Sequence, residues 1–197
     1  MSTPIGSVSA INASLTLVLL DRASAPAWKI SVPQPDGHFS PGHPAEILDG
    51  DDDVHVLDVG GRTALAMTLE GMTGVAEVFR LGPDRLAFVE PGKDWWLENF
   101  GQKAKKVDAL FAELLGGDVP EHAEEVGELE ITSGQLVAFD MWNRLESLPA
   151  QEGEIRGECA GAVVALPAGK YRVSRHVVEV DWADDAECAV AYVVPIR

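Results

Sequence analysis

The chain has 197 residues, 46% of them hydrophobic and 24% charged, the composition of a soluble globular protein with enough apolar material for a real core. Against 15 Lys and Arg stand 32 Asp and Glu, a formal net charge of −17. Such a charge opposes nucleic-acid and anionic-membrane partners and steers basic proteins towards the chain.

The first residues, Met1-Ser2-Thr3-Pro4-Ile5-Gly6, lack the basic region of a secretory signal, and the apolar run Leu15 to Leu20 is too short to span a membrane. Cytoplasmic residence is therefore the expectation. In that compartment Cys159 and Cys188 read as buried thiols, and neither lies in a Cys-x-x-Cys spacing.

In chain order, the stretches 8–21 and 128–140 read as β-hairpins. In the second, Leu129 and Ile131 alternate with Glu128 and Glu130, and Thr132-Ser133-Gly134 supplies the turn. Trp28, Ile30 and Val32 suggest a short strand, and Pro33 to Asp53 reads as a long loop rich in Pro, Gly, His and Asp. Strands are predicted over 54–59, 63–69, 75–81 and 86–89, separated by Gly turns at the spacing of an antiparallel sheet or sandwich. Trp95-Trp96 then opens a helical texture, where the pair would wedge a helix against a sheet. Val107, Leu110, Phe111, Leu114 and Leu115 recur at helical spacing between Gln102 and Leu115, and Gly116-Gly117 ends the helix. Asp118 and Glu121 read as a capping pair for a short helical turn through Val126. Beyond the second hairpin, strands are predicted over 162–166, 170–180 and 188–196. The last is apolar on both faces and so central, and a bulge near Arg175 would reconcile a slip of parity in the one before it.

The fold class is therefore α+β, mainly antiparallel β, with two β-rich modules, 1–93 and 127–197, joined by an amphipathic helical connector, 94–126. Leu17-Val18-Leu19-Leu20-Asp21 matches Leu136-Val137-Ala138-Phe139-Asp140, and 54–60 matches 163–169. These matches suggest an internal repeat about a pseudo-twofold, while any two antiparallel segments share some of this texture.

The strongest functional signal is electrostatic. Val107 to Asn143 holds nine acids and no Lys or Arg. Asp118, Glu121, Glu124, Glu125, Glu128 and Glu130 would form a docking face for a basic protein, helped by Asp51, Asp52 and Asp53; the plainer reading is a solvated acidic surface. Asp49-Gly50-Asp51-Asp52-Asp53 lacks the later Gly and Glu of an EF-hand. No cofactor or metal is implied, and no nucleophile or phosphate-loop motif occurs.

Ser133-Gly134-Gln135-Leu136-Val137-Ala138-Phe139-Asp140, with Leu166-Pro167-Ala168-Gly169-Lys170-Tyr171-Arg172-Val173 farther on, resembles bacterial immunity proteins of polymorphic toxin systems. The resemblance covers about the last third of the chain. It implies a small non-enzymatic protein that binds and blocks a cognate toxin, through a surface that varies with the toxin, so no binding residue is carried over. The expected function is thus an acidic protein occluding a basic toxin or other basic partner. The alternatives are a small-ligand or metal-dependent enzyme using the 33–53 loop with His38, His43 and Asp51, or a structural homodimer built on Trp95-Trp96.

Overall fold

A computed structural model describes residues 3–10, 15–32, 34–35, 38–50, 52–69, 71, 73–143, 148–154, 161–184 and 186–197. Cys159 and Asp51 lie outside the described residues. The fold is α+β, with two antiparallel sheets packed face to face. The strands are β1 (Gly6–Ser9), β2 (Leu15–Asp21), β3 (Val54–Asp58), β4 (Thr63–Leu69), β5 (Val75–Gly82), β6 (Arg85–Glu90), β7 (Glu124–Ile131), β8 (Gln135–Asp140), β9 (Ala162–Ala165), β10 (Gly169–Val180) and β11 (Ala186–Pro195). The first sheet has the order β1-β5-β6-β11-β10-β7, and the second β3-β4-β2-β8-β9. The helices are α1 (His43–Leu48), α2 (Lys93–Phe100) and α3 (Ala104–Gly116).

Three apolar layers hold these elements. Between the sheets lie Leu17, Leu19, Met67, Phe88, Leu129, Ile131, Tyr171 and Val193, with neighbours from both halves of the chain. Helices α2 and α3, part of a 24-residue helical connection, cover the outer face of the first sheet, where Trp96, Val107 and Phe111 meet Phe79, Val89 and Val190. Trp96 is fully buried there, so the tryptophan pair does wedge a helix against a sheet. On the outer face of the second sheet, Trp28, Ile47 and Met141 pack on Val18, Leu20 and Phe139. Because the first sheet is covered on both faces, β11 is apolar on both, as its sequence predicts, and Cys188 is a buried thiol pushed up to about 12 by burial.

The strand order has the expected twofold pattern. Exchanging β1 with β7, β5 with β10 and β6 with β11 maps the first sheet onto itself, and exchanging β2 with β8 and β4 with β9 does so for the second, leaving β3 over among the described residues. Register agrees: Leu17 pairs with Asp140 and Asp21 with Leu136, so swapping the two matched pentapeptides leaves the β2–β8 ladder unchanged. Among the described residues β9 occupies the place equivalent to β4, so the match of 54–60 to 163–169 does not follow the strand order.

Neither predicted hairpin forms. β1 pairs with β5 while β2 pairs with β4 and β8, and β7 pairs with β10 while β8 pairs with β2 and β9. In the first stretch the flanking strands belong to different sheets, with residues 11–14 outside the described ones, and the second stretch is a corner at which the chain leaves one sheet for the other. Buried carboxylates fasten the corners. Asp21 accepts hydrogen bonds from the Thr132 and Ser133 backbone N–H groups, both at 3.1 Å, and from both hydroxyls, with Arg62 at 2.9 Å. Burial acts to raise the Asp21 pKa, but the bonds from Ser133 and Thr132 outweigh it and hold the group below its ordinary value. Its counterpart Asp140 accepts from the Thr16 and Trp142 N–H groups, and Glu90 accepts from the Gly74 N–H at 2.6 Å between β4 and β5.

Four further expectations are corrected. Residues 28–32 form no strand, because Trp28 packs on Phe139 and His43 as a lid over the second sheet. The 33–53 stretch contains α1. The segment 118–126 is a turn leading into β7, where pairing with β10 replaces helical bonding, so Glu124 and Glu125 lie on a strand. The parity slip in β10 needs no bulge of its own, since Val173 and Val177 face the inter-sheet core while Val178 and Val180 face the helices. The bulge is on β7, at Val126 and Gly127 opposite Val173 and Ser174.

Candidate binding face

The acidic face is built on β7, an edge strand. Val126, Leu129 and Ile131 turn inward, and Glu124, Glu125, Glu128 and Glu130 are exposed, which is the alternation of a strand with one dry side. The bulge leaves Gly127 at φ +152°, a conformation open to glycine, and a Cβ there would stand 3.1 Å from Leu65. Charge and a bulge along a free edge also deter pairing with other chains, so part of this acidity serves the sheet itself.

The neighbouring strand supplies cations that a scan of 107–143 alone does not register. Lys170 lies opposite Glu130, Arg172 opposite Glu128 and Arg175 opposite Glu124. Arg172 pairs with Glu125 at 3.3 Å, and at the far end of the face Arg85 approaches Asp118 at 3.6 Å. Arg175 is the organiser, with its side chain only 11% exposed. Its Nε and Nη2 donate to Glu124 Oε2 at 3.0 and 2.8 Å, its Nη1 donates to the Thr68 carbonyl at 2.9 Å, and its Nη2 stands 3.8 Å from Asp53 Oδ2. One guanidinium thus ties β10 to β7, to β4 of the opposite sheet, and to the acidic loop before β3.

The two acidic stretches named from sequence therefore meet at Arg175, where Asp53 of the loop before β3 comes beside Glu124 of β7; Glu121 lies on the turn that enters β7, and Asp118, paired with Arg85 of β6, lies away from that edge. Among the described residues, Glu121, Glu128, Glu130 and Asp52 carry no ion pair within 4.0 Å and present unneutralised charge. The cations Lys170, Arg172 and Arg175 were missed because their pairing with the acids depends on β7 lying beside β10. The sequence signal available was the basic alternation Lys170, Arg172 on a strand.

The 33–53 stretch is arranged differently from a metal-binding lid. His43 is buried, its Nδ1 accepts the Lys29 N–H at 2.8 Å, and its ring stacks on Trp28 at 4.6 Å. Among the described residues no group of three or more His, Cys, Asp or Glu is placed to hold a metal ion. Surface depressions open elsewhere, one of about 500 Å³ beside Glu77, Asp94 and Glu152 and one of about 440 Å³ beside Arg80, Glu152 and Pro167. No helix among the described residues is long and apolar enough to cross a membrane. Comparison of the chain with protein-family models, with curated proteins and with solved structures gives no match.

Proposed function

We propose that the chain is a non-enzymatic acidic binding protein, an immunity-type inhibitor that occludes a basic toxin or another basic protein. The observation carrying this reading is the convergence on Arg175 of Glu124 and Asp53, which gathers acids from two distant stretches into one face. The acids bonded to Arg175 shape the face, and Glu121, Glu128 and Asp52 supply attraction. Association by charge steering is fast and weakens as salt rises, because exposed charges are screened over about 10 Å at 0.1 M ionic strength. Steric cover by the rigid two-sheet edge then blocks the partner's own working surface.

The test is capture from a lysate of the native cell on the immobilised chain at low salt, with identification by mass spectrometry. The comparison is a triple variant, Asp52→Lys, Glu121→Lys and Glu128→Lys, chosen to leave the ion pairs of Arg175 and Arg172 intact. A basic protein retained by the parent chain and lost by the variant supports the reading. Equal retention by both chains removes this face from it.

A further inference from the structure

Away from the ion pairs, the turn between α3 and β7 makes a second kind of contact with β10. Pairing of β10 with β7 ends at Arg175 opposite Glu124, so the next residue, His176, has no β7 strand beside it. The turn closes on itself through the Ala123 N–H and the Pro120 carbonyl at 3.0 Å, and it brings the ring of His122 against that of His176. The ring centroids are 4.7 Å apart and the planes 78° apart. His122 is exposed and His176 half-buried, so one imidazole is anchored on a strand while the other is reachable from solvent.

We propose that His122 and His176 together form a binding site for a divalent transition-metal ion of the zinc class. Two adjacent imidazoles are the donor set that such ions prefer over the carboxylates abundant elsewhere on this surface. In this site one nitrogen of each ring would ligate the ion, with water filling the remaining positions. An ion held there would clasp the turn carrying Glu121 and His122 to β10.

The test is calorimetric titration of the full chain with zinc chloride at about pH 7.5, with magnesium chloride as the hard-ion control, on the parent, His122→Ala, His176→Gln and Glu121→Gln chains. The expected result is one saturable zinc site, weakened at least about tenfold by either histidine substitution, unchanged by Glu121→Gln and not occupied by magnesium. His122→Ala is decisive, because its side chain is exposed and its loss leaves the core intact. Zinc affinity unchanged in His122→Ala, or zinc bound only through a site lost in Glu121→Gln, would overturn the proposal.

Discussion

Replacing Arg175 with Ala tests whether one guanidinium organises the acidic edge. The substitution removes the two bonds to Glu124 Oε2, the bond to the Thr68 carbonyl and the attraction to Asp53. Glu124 and Asp53 are more than half exposed, so their ion pairs contribute about 1 kcal/mol together. The bond from a charged donor to Thr68 contributes about 1.5 to 3 kcal/mol, because Arg175 itself is only 11% exposed. Loss of the packed aliphatic stem adds to this. The expected destabilisation is about 2 to 4 kcal/mol, against less than about 1 kcal/mol for Glu124→Gln, which leaves the bond to Thr68 in place. Urea unfolding followed by far-ultraviolet circular dichroism measures both, and each kcal/mol should lower Tm by about 2 to 4 °C in a chain of this size. If Arg175→Ala and Glu124→Gln cost the same small amount, the tie between the sheets carries no weight and the face is an ordinary solvated edge.

Two further predictions concern the buried carboxylates. Asp21→Asn removes the charge on which two backbone N–H groups, two hydroxyls and Arg62 converge, and should cost about 3 kcal/mol by the same measurement. Since the folded Asp21 pKa lies below its ordinary value, its stabilisation is present above the unfolded value of 3.8 and is lost as pH falls through the folded one; the variant should lack that part of the acid limb. Glu90 behaves oppositely, its pKa raised from 4.5 to about 7 chiefly by burial, against the pull of the Gly74 and Thr73 N–H groups. Its contribution is full below pH 4.5 and lost as pH rises through 7, a change of about 3 kcal/mol, and a pH series of melts should show this decline flattened in Glu90→Gln.

Sequence alone determined the elements whose signal is local. The amphipathic period of α3, the two dry faces of β11 and the alternation of β7 each need only a few neighbouring residues to be read, because period and burial are linked within one element. The likeness of Leu17–Asp21 to Leu136–Asp140 was legible for the same reason, and symmetric pairing in the second sheet gives it a place.

Partnership between strands was decided only by the tertiary structure. Thr132-Ser133-Gly134 has the chemistry of a hairpin turn, yet the buried Asp21 from the other half of the chain takes its donors and fixes it as a corner between sheets. The charges followed the strands: Glu124 and Glu125 are uncompensated along the sequence and compensated in space, because β10 brings Arg175 and Arg172 beside them. Short-range periodicity cannot report this, since a ladder joins residues whose separation along the chain is unrelated to their spacing in the sheet.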